Sequence, residues 1–177
     1  MKRIYLIGYM GAGKTTLGCL LAEKLSVPFV DLDQMIESRY SKSVGQLFQE
    51  EGEEEFRRIE SEMLREIPET GGAVVSTGGG TPMLHGNMDY MNRTGLTVYL
   101  KVSAGELFSR LKPIKDKRPL IRNKSDEELI AFITETLAGR EPTYLLSRLV
   151  FPAETLSTDA DEQCAATALL TEIKRVL

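Results

Sequence analysis

Apolar positions along the chain fall into two rhythms. Short runs rich in β-branched and aliphatic residues occur at Ile4 to Ile7, Pro28 to Leu32, Ala73 to Thr77 and Leu96 to Val102, with a weaker one at Leu149 to Ala153. Runs of this length, too short for helices and nearly continuous in apolar character, read as strands buried on both faces. Between them the apolar residues recur every three or four positions: Leu17, Leu20, Leu21 and Leu25; Phe56, Ile59, Met63 and Ile67; Ala165, Leu169, Ile173 and Val176. That spacing marks amphipathic helices. Strands alternating with helices predict parallel β-α-β units, since a parallel partner needs a crossover long enough to hold a helix. The expectation is an α/β protein with three layers, α/β/α, around a five-stranded parallel sheet, residues 1–177 forming one domain. Pro113 to Lys124 lacks either rhythm and reads as a surface loop.

The turn after the first strand carries the first candidate chemistry. Gly8-Tyr9-Met10-Gly11-Ala12-Gly13-Lys14-Thr15 fits G-x-x-x-x-G-K-[ST], directly after a strand and directly before a helix. Glycines let backbone N–H groups turn toward phosphate oxygens, and the helix N-terminus adds its positive dipole end. Lys14 is expected at the β- and γ-phosphates and the Thr15 hydroxyl at Mg²⁺. At the end of the second strand, Asp31 and Asp33 stand two residues apart, so on a strand both would face one site. The competing reading makes them helix-capping aspartates ahead of Met35 and Ile36, a role that suits Asp33.

Charge changes the picture little in total and more in distribution. The formal net charge is −4, which argues against a broad nucleic-acid footprint, and no apolar run is long enough to cross a bilayer. With an apolar N-terminal stretch too short for a signal sequence, the expected location is the cytoplasm. Cys19 and Cys164 lack metal-ligand spacing and are expected as small core residues. Acidic residues cluster in Glu50 to Glu55; basic ones cluster at Lys112, Lys115, Lys117, Arg118, Arg122 and Lys124. Asn123-Lys124-Ser125-Asp126 matches the N-K-x-D string of guanine-reading switches. It does not end an apolar strand, no D-x-x-G follows the third strand, and Ser125 or Asp126 reads as a helix N-cap.

Taken together, Gly8 to Thr15, Asp31-Leu32-Asp33, Phe56-Arg57-Arg58-Ile59-Glu60, Gly78-Gly79-Gly80, Arg118-Pro119-Leu120 and Arg140-Glu141-Pro142-Thr143-Tyr144 resemble shikimate kinase in order and spacing. The resemblance runs to about residue 150. It implies a P-loop fold of the nucleoside monophosphate kinase-like type and an ATP- and Mg²⁺-dependent transfer of phosphate to the 3-hydroxyl of shikimate. It implies an acceptor-binding helical insert at about residues 34–62 and a lid at about 112–124. Nucleotide contacts would come from Gly11, Ala12, Gly13, Lys14, Thr15 and Thr16, with Arg110 at the adenine and Arg118 in the lid. Asp33 would orient or deprotonate the hydroxyl, and Asp31 with Thr15 would lie on the metal side. Arg57, Arg140 and Gly78 to Gly80 would form the acceptor site, with Glu60, one helical turn from Arg57, bracing that guanidinium. The catalytic set is Lys14, Asp33 and Arg118, and the partners are ATP and shikimate for a monomer that binds neither nucleic acid nor membrane.

Two departures stand out. Tyr40 to Val44 replaces a glycine-containing turn, and Thr155 to Glu162 lacks basic residues near the expected adenine. Two rivals remain at this level: a related small-metabolite kinase such as a gluconate kinase, and a non-catalytic nucleotide-binding switch. His85, the single histidine, reads as structural or exposed, and Met83, Met88 and Met91 as packing residues.

Overall fold

A computed structural model describes residues 2–177. Five strands form one parallel sheet: β1 (Arg3–Ile7), β2 (Phe29–Asp31), β3 (Val74–Ser76), β4 (Gly95–Lys101) and β5 (Leu149–Pro152). Their spatial order is β2-β3-β1-β4-β5. The helices are α1 (Lys14–Leu25), α2 (Leu32–Tyr40), α3 (Val44–Glu66), α4 (Asn87–Thr94), α5 (Ala104–Leu111), α6 (Asp126–Tyr144) and α7 (Asp159–Val176). All five expected strands are present, within a residue or two of their apolar runs.

The order of strands fixes where ligands can collect. The chain leaves β1 for β2 in one direction, and β2, β3 and β4 are followed by crossovers in the other. Right-handed crossovers then put α1 on one face and α3, α4 and α5–α6 on the opposite one. Packing of α7 against α1 completes the first layer. The reversal falls between β1 and β3, and the crevice beyond the carboxyl ends of these neighbouring strands is where open α/β sheets bind ligands. The register aligns Leu6 with Ser76 and Ser76 with Asp31, so β1, β3 and β2 end level with one another. The core lies on both sides of the three central strands, with Ile4, Leu6, Val74, Val75 and Val98 fully buried.

Several expectations need correction. Cys19 and Cys164 are both exposed, because they lie on the outward stripes of α1 and α7 while Leu17, Leu21, Leu169 and Ile173 take the inward ones. Asp33 is not on the second strand: β2 stops at Asp31, and Asp33 sits in the first turn of α2. The capping role falls to Asp31, whose Oδ1 accepts from the N–H groups of Asp33 and Gln34 at 3.1 and 3.3 Å. Part of the Pro113 to Lys124 stretch forms a 3₁₀ turn over Lys112–Lys117. The Asn123 string resolves as anticipated, since Ser125 caps α6 in a reciprocal box with Glu128. His85 is exposed, and Met88 and Met91 are buried.

Two features are absent from the sequence reading. Arg3 lies wholly buried at the start of β1, its guanidinium donating to the Ile67 carbonyl at 2.7 Å and to Glu69 at 3.2 Å. Gly52, at φ 82°, splits α3 into two segments.

Candidate active site

The loop after β1 is built for an anion. Gly13 occupies the N-cap of α1 at φ 91°, left-handed backbone that a side chain would strain, and no side chain caps the helix. The first-turn N–H groups therefore face the crevice with the helix dipole behind them. Ala12 is buried and Gly11, Thr15 and Thr16 line the loop's open side. Lys14 curls back so that its Nζ donates to the carbonyls of Gly8 and Tyr9 at 2.9 and 2.8 Å. Burial pushes the Lys14 ammonium down to about 8, opposed by the nearby carboxylates of Asp33 and Asp31. An anion beside it would favour the charged form.

Across the crevice the Thr15 hydroxyl donates to Asp31 Oδ2 at 3.1 Å, while the other oxygen of that carboxylate caps α2. A hydroxyl and a carboxylate side by side are hard oxygen donors of the kind Mg²⁺ takes. Among the described residues no cluster of three His, Cys, Asp or Glu forms a closed metal cage, and the donor pair fits an ion shared with a ligand's phosphates.

Asp33, in the first turn of α2, points its carboxylate at the third side of the site, against the loop after β3. Burial is the main force pushing it up to about 6; the negative charges of Glu60 and Asp31 push the same way, and Lys14 pulls back.

That loop, Gly78-Gly79-Gly80, lies against Arg57, Arg140, Glu60 and Asp33. None of its glycines has a positive φ, so freedom of the backbone is not what selects them. Space is. A methyl on Gly80 would lie 2.7 Å from the Arg57 guanidinium, one on Gly79 3.3 Å from Arg140 Nη1, and one on Gly78 2.5 Å from Glu60 Oε1 and 3.3 Å from Asp33 Oδ1. Three consecutive glycines thus seat two arginines and two carboxylates arriving from α2, α3 and α6. Arg57 Nη1 donates to Glu60 Oε2 at 3.0 Å, and the other Glu60 oxygen accepts from the Thr81 hydroxyl, so the brace expected for Arg57 is in place. Arg140 has no ion-pair partner among the described residues and lies 5.8 Å from the Tyr9 ring. Arg58 next to Arg57 faces solvent and pairs with Glu55 and Glu62.

Two sequence-predicted residues stand apart from this cluster. Arg118 is exposed, with no side-chain partner among the described residues, although its charge is felt at Lys14. The neighbouring Pro119 lies against Gly45 at the start of α3, so the basic loop rests on the helical insert. Arg110 is half-buried and fully engaged: its Nε donates to Glu106 at 2.8 Å, and its other nitrogens donate to Gly11 O at 3.3 Å and to Ala153 O and Glu154 O at 2.8 Å each. It ties the phosphate loop to the segment after β5, where Leu156 packs over Gly13. A cleft of about 390 Å³ between β5 and α7, lined by Phe151, Pro152 and Cys164 among others, contains none of the sequence-predicted site residues. Sequence reasoning missed Thr81 and Tyr144 as neighbours of the site; both are buried side chains whose hydroxyls bond within it.

The same combination of features occurs in known proteins. The family model described as shikimate kinase matches residues 10–173. A shikimate kinase of Parabacteroides distasonis is 49% identical over 170 residues, covering 96% of this chain and 98% of its own length. The solved shikimate kinase of Bacteroides thetaiotaomicron superposes with a TM-score of 0.93 at 46% identity, covering 98% of each chain. That of Acinetobacter baumannii, solved in complex with shikimate, has a TM-score of 0.81 at 30% identity and covers 99% of this chain and 94% of its own.

Proposed function

This chain belongs to the shikimate kinase family, and from that premise we propose how its residues divide the transfer of the ATP γ-phosphoryl group to the 3-hydroxyl of shikimate. The acceptor oxygen forms its bond to the γ-phosphorus while the bond from that phosphorus to the β–γ bridging oxygen breaks. ADP leaves with the bonding pair, and the hydroxyl proton passes to Asp33. A carboxyl pushed up to about 6 is ionised at neutral pH yet more basic than an ordinary aspartate, which suits a proton acceptor.

The remaining roles follow from charge and position. The N–H groups of Gly11 through Thr16 and the Lys14 ammonium hold the phosphate chain. Thr15 and Asp31 would hold Mg²⁺, which supplies charge neutralisation to the phosphates when bound. Arg57 and Arg140 form guanidinium forks for the shikimate carboxylate, and Asp33 takes ring hydroxyls on the opposite side. Residues 112–124 act as a lid, with Arg118 brought over the transferring group as water is excluded, and residues 34–62, from α2 and most of α3, form the acceptor insert. Arg110 frames the adenine side through its bonds to Gly11 and Glu154. A cytoplasmic monomer completes the reading.

The observation that carries this assignment is the seating of Arg57 and Arg140 on consecutive glycines, beside Asp33 and level with the phosphate loop. The Asp31 and Asp33 pair with Arg57 and the Gly78 to Gly80 loop disfavours a gluconate acceptor, and a switch would have no use for the two arginines. An assay of ADP release with shikimate, gluconate and nucleoside monophosphates as acceptors, and ATP or GTP as donor, tests it. ADP release stimulated by shikimate with ATP is expected; an unchanged rate on adding shikimate would overturn the reading. Arg57→Ala should raise the KM for shikimate by about 100-fold while ATP binding stays within about twofold.

A further inference from the structure

Tyr144 is a large buried group beside the acceptor residues to which no role has yet fallen. Its side chain is fully buried at the last turn of α6. The hydroxyl donates to the Gly79 carbonyl at 2.5 Å, bridging α6 to the glycine loop after β3. Burial pushes the phenol up to about 12, so it stays neutral and keeps its proton for that bond. The ring lies 5.1 Å from that of Tyr99 on β4, whose own hydroxyl donates to Glu141 at 3.3 Å. Tyr144 is therefore locked to the sheet at one end and to the loop at the other.

Four residues earlier, one helical turn away on the same face of α6, stands Arg140. Its Nη1 would meet a methyl on Gly79 at 3.3 Å, so the residue whose carbonyl Tyr144 holds is the one on which the Arg140 guanidinium rests. Pro142, between them, removes one backbone N–H from the end of the helix, which leaves the turn short of a hydrogen bond that would otherwise help fix its height. The Tyr144 hydroxyl supplies an anchor there. We propose that Tyr144 is a positioning residue for acceptor binding: by pinning the last turn of α6 to Gly79 it sets the Arg140 guanidinium at the distance from Arg57 that a single carboxylate spans. This rests on the assignment of Arg140 to the acceptor carboxylate.

Tyr144→Phe tests it, since the substitution keeps the ring on Tyr99 and removes only the hydroxyl. Losing one buried hydrogen bond predicts a KM for shikimate raised about fivefold to tenfold, with kcat and the KM for ATP within about twofold. The decisive readout is a double-mutant cycle with Arg140→Lys, in which shikimate affinity is measured by calorimetric titration. If Tyr144 acts through Arg140, adding Tyr144→Phe to Arg140→Lys changes shikimate affinity by less than about twofold. Additive losses in the cycle, an unchanged shikimate KM in the single variant, or equal rises in the KM values for both substrates would each overturn the proposal. Tyr99→Phe, which loosens the same helix end without touching Gly79, should leave shikimate affinity unchanged, and a loss equal to that of Tyr144→Phe would reduce Tyr144 to general packing. Failure of the underlying site reading shows separately, as an Arg140→Lys variant that binds shikimate as well as the parent.

Discussion

Asp33 shows at the scale of one residue how a site conflicts with stability. Its carboxyl ordinarily titrates near 3.8 and is pushed up to about 6 when folded, so the folded chain holds the proton more tightly than the unfolded one. Stability therefore rises as pH falls from about 6 toward 4, and the penalty is present in full above that window. The difference between these two values corresponds to roughly 3 kcal/mol before relaxation of the neighbours. Asp33→Asn should accordingly raise the urea midpoint at pH 7.5 in metal- and nucleotide-free buffer, by about 1–2 kcal/mol, with the gain shrinking as pH approaches 4. The same variant should lose on the order of 10²–10⁴-fold in kcat. A midpoint that fell at pH 7.5 would contradict the burial argument. Gly80→Ala places a methyl 2.7 Å from the Arg57 guanidinium at a backbone angle that alanine accepts without strain. Shikimate binding should fall at least tenfold, with thermal stability within a few degrees, as calorimetry and a melting scan would read.

At the scale of an element, the lid and the insert separate stability from activity. Arg118 is exposed and unpaired, so Arg118→Ala should leave the melting temperature unchanged while kcat falls about 10²–10³-fold through lost stabilisation of the transferring phosphoryl group. Equal loss of stability would place that side chain in the fold instead. The break in α3 works the other way. Gly52 at φ 82° and ψ 170° meets nothing within 4 Å where its Cβ would stand, so Gly52→Ala has room, but this is backbone that essentially only glycine adopts, and the variant should lose roughly 1–3 kcal/mol. If the break aims the second half of α3, the shikimate KM should rise in that variant as well, because Arg57 and Glu60 lie beyond it.

Over the whole molecule, stability is concentrated where the sheet begins and chemistry where it ends. Arg3, wholly buried, ties β1 to the segment after α3 through Ile67 and Glu69 and lies 5.5 and 5.6 Å from the rings of Tyr5 and Tyr90. Arg3→Ala removes the donor to a buried carbonyl and leaves a cavity, and should cost about 3 kcal/mol in denaturant unfolding. The activity of the molecules that stay folded should not change, since the opposite edge of the sheet holds every assigned residue. A loss of activity per folded molecule would mean that the two ends are coupled.

Local information was enough for most of this architecture. Apolar rhythm placed five strands and the main helices because burial and backbone geometry impose periods that neighbouring residues carry by themselves. The phosphate loop was legible for the same reason: its glycines, Lys14 and Thr15 are contiguous, and strand and helix flank them in sequence. The acceptor residues were legible only as scattered pieces whose pattern resembles a family, since nothing local links Asp33, Arg57 and Arg140. Other facts depended on packing. Whether Asp31 or Asp33 capped α2 turned on where β2 stopped; whether Cys19 and Cys164 were core residues turned on which stripe each helix buried; and the burial of Arg3 had no signal in its own neighbourhood. The glycines after β3 gain their meaning from side chains that arrive from α2, α3 and α6. A residue's own sequence neighbourhood sets its conformation, but which distant groups share its space, and so its protonation and its partners, is decided only when the elements close on one another.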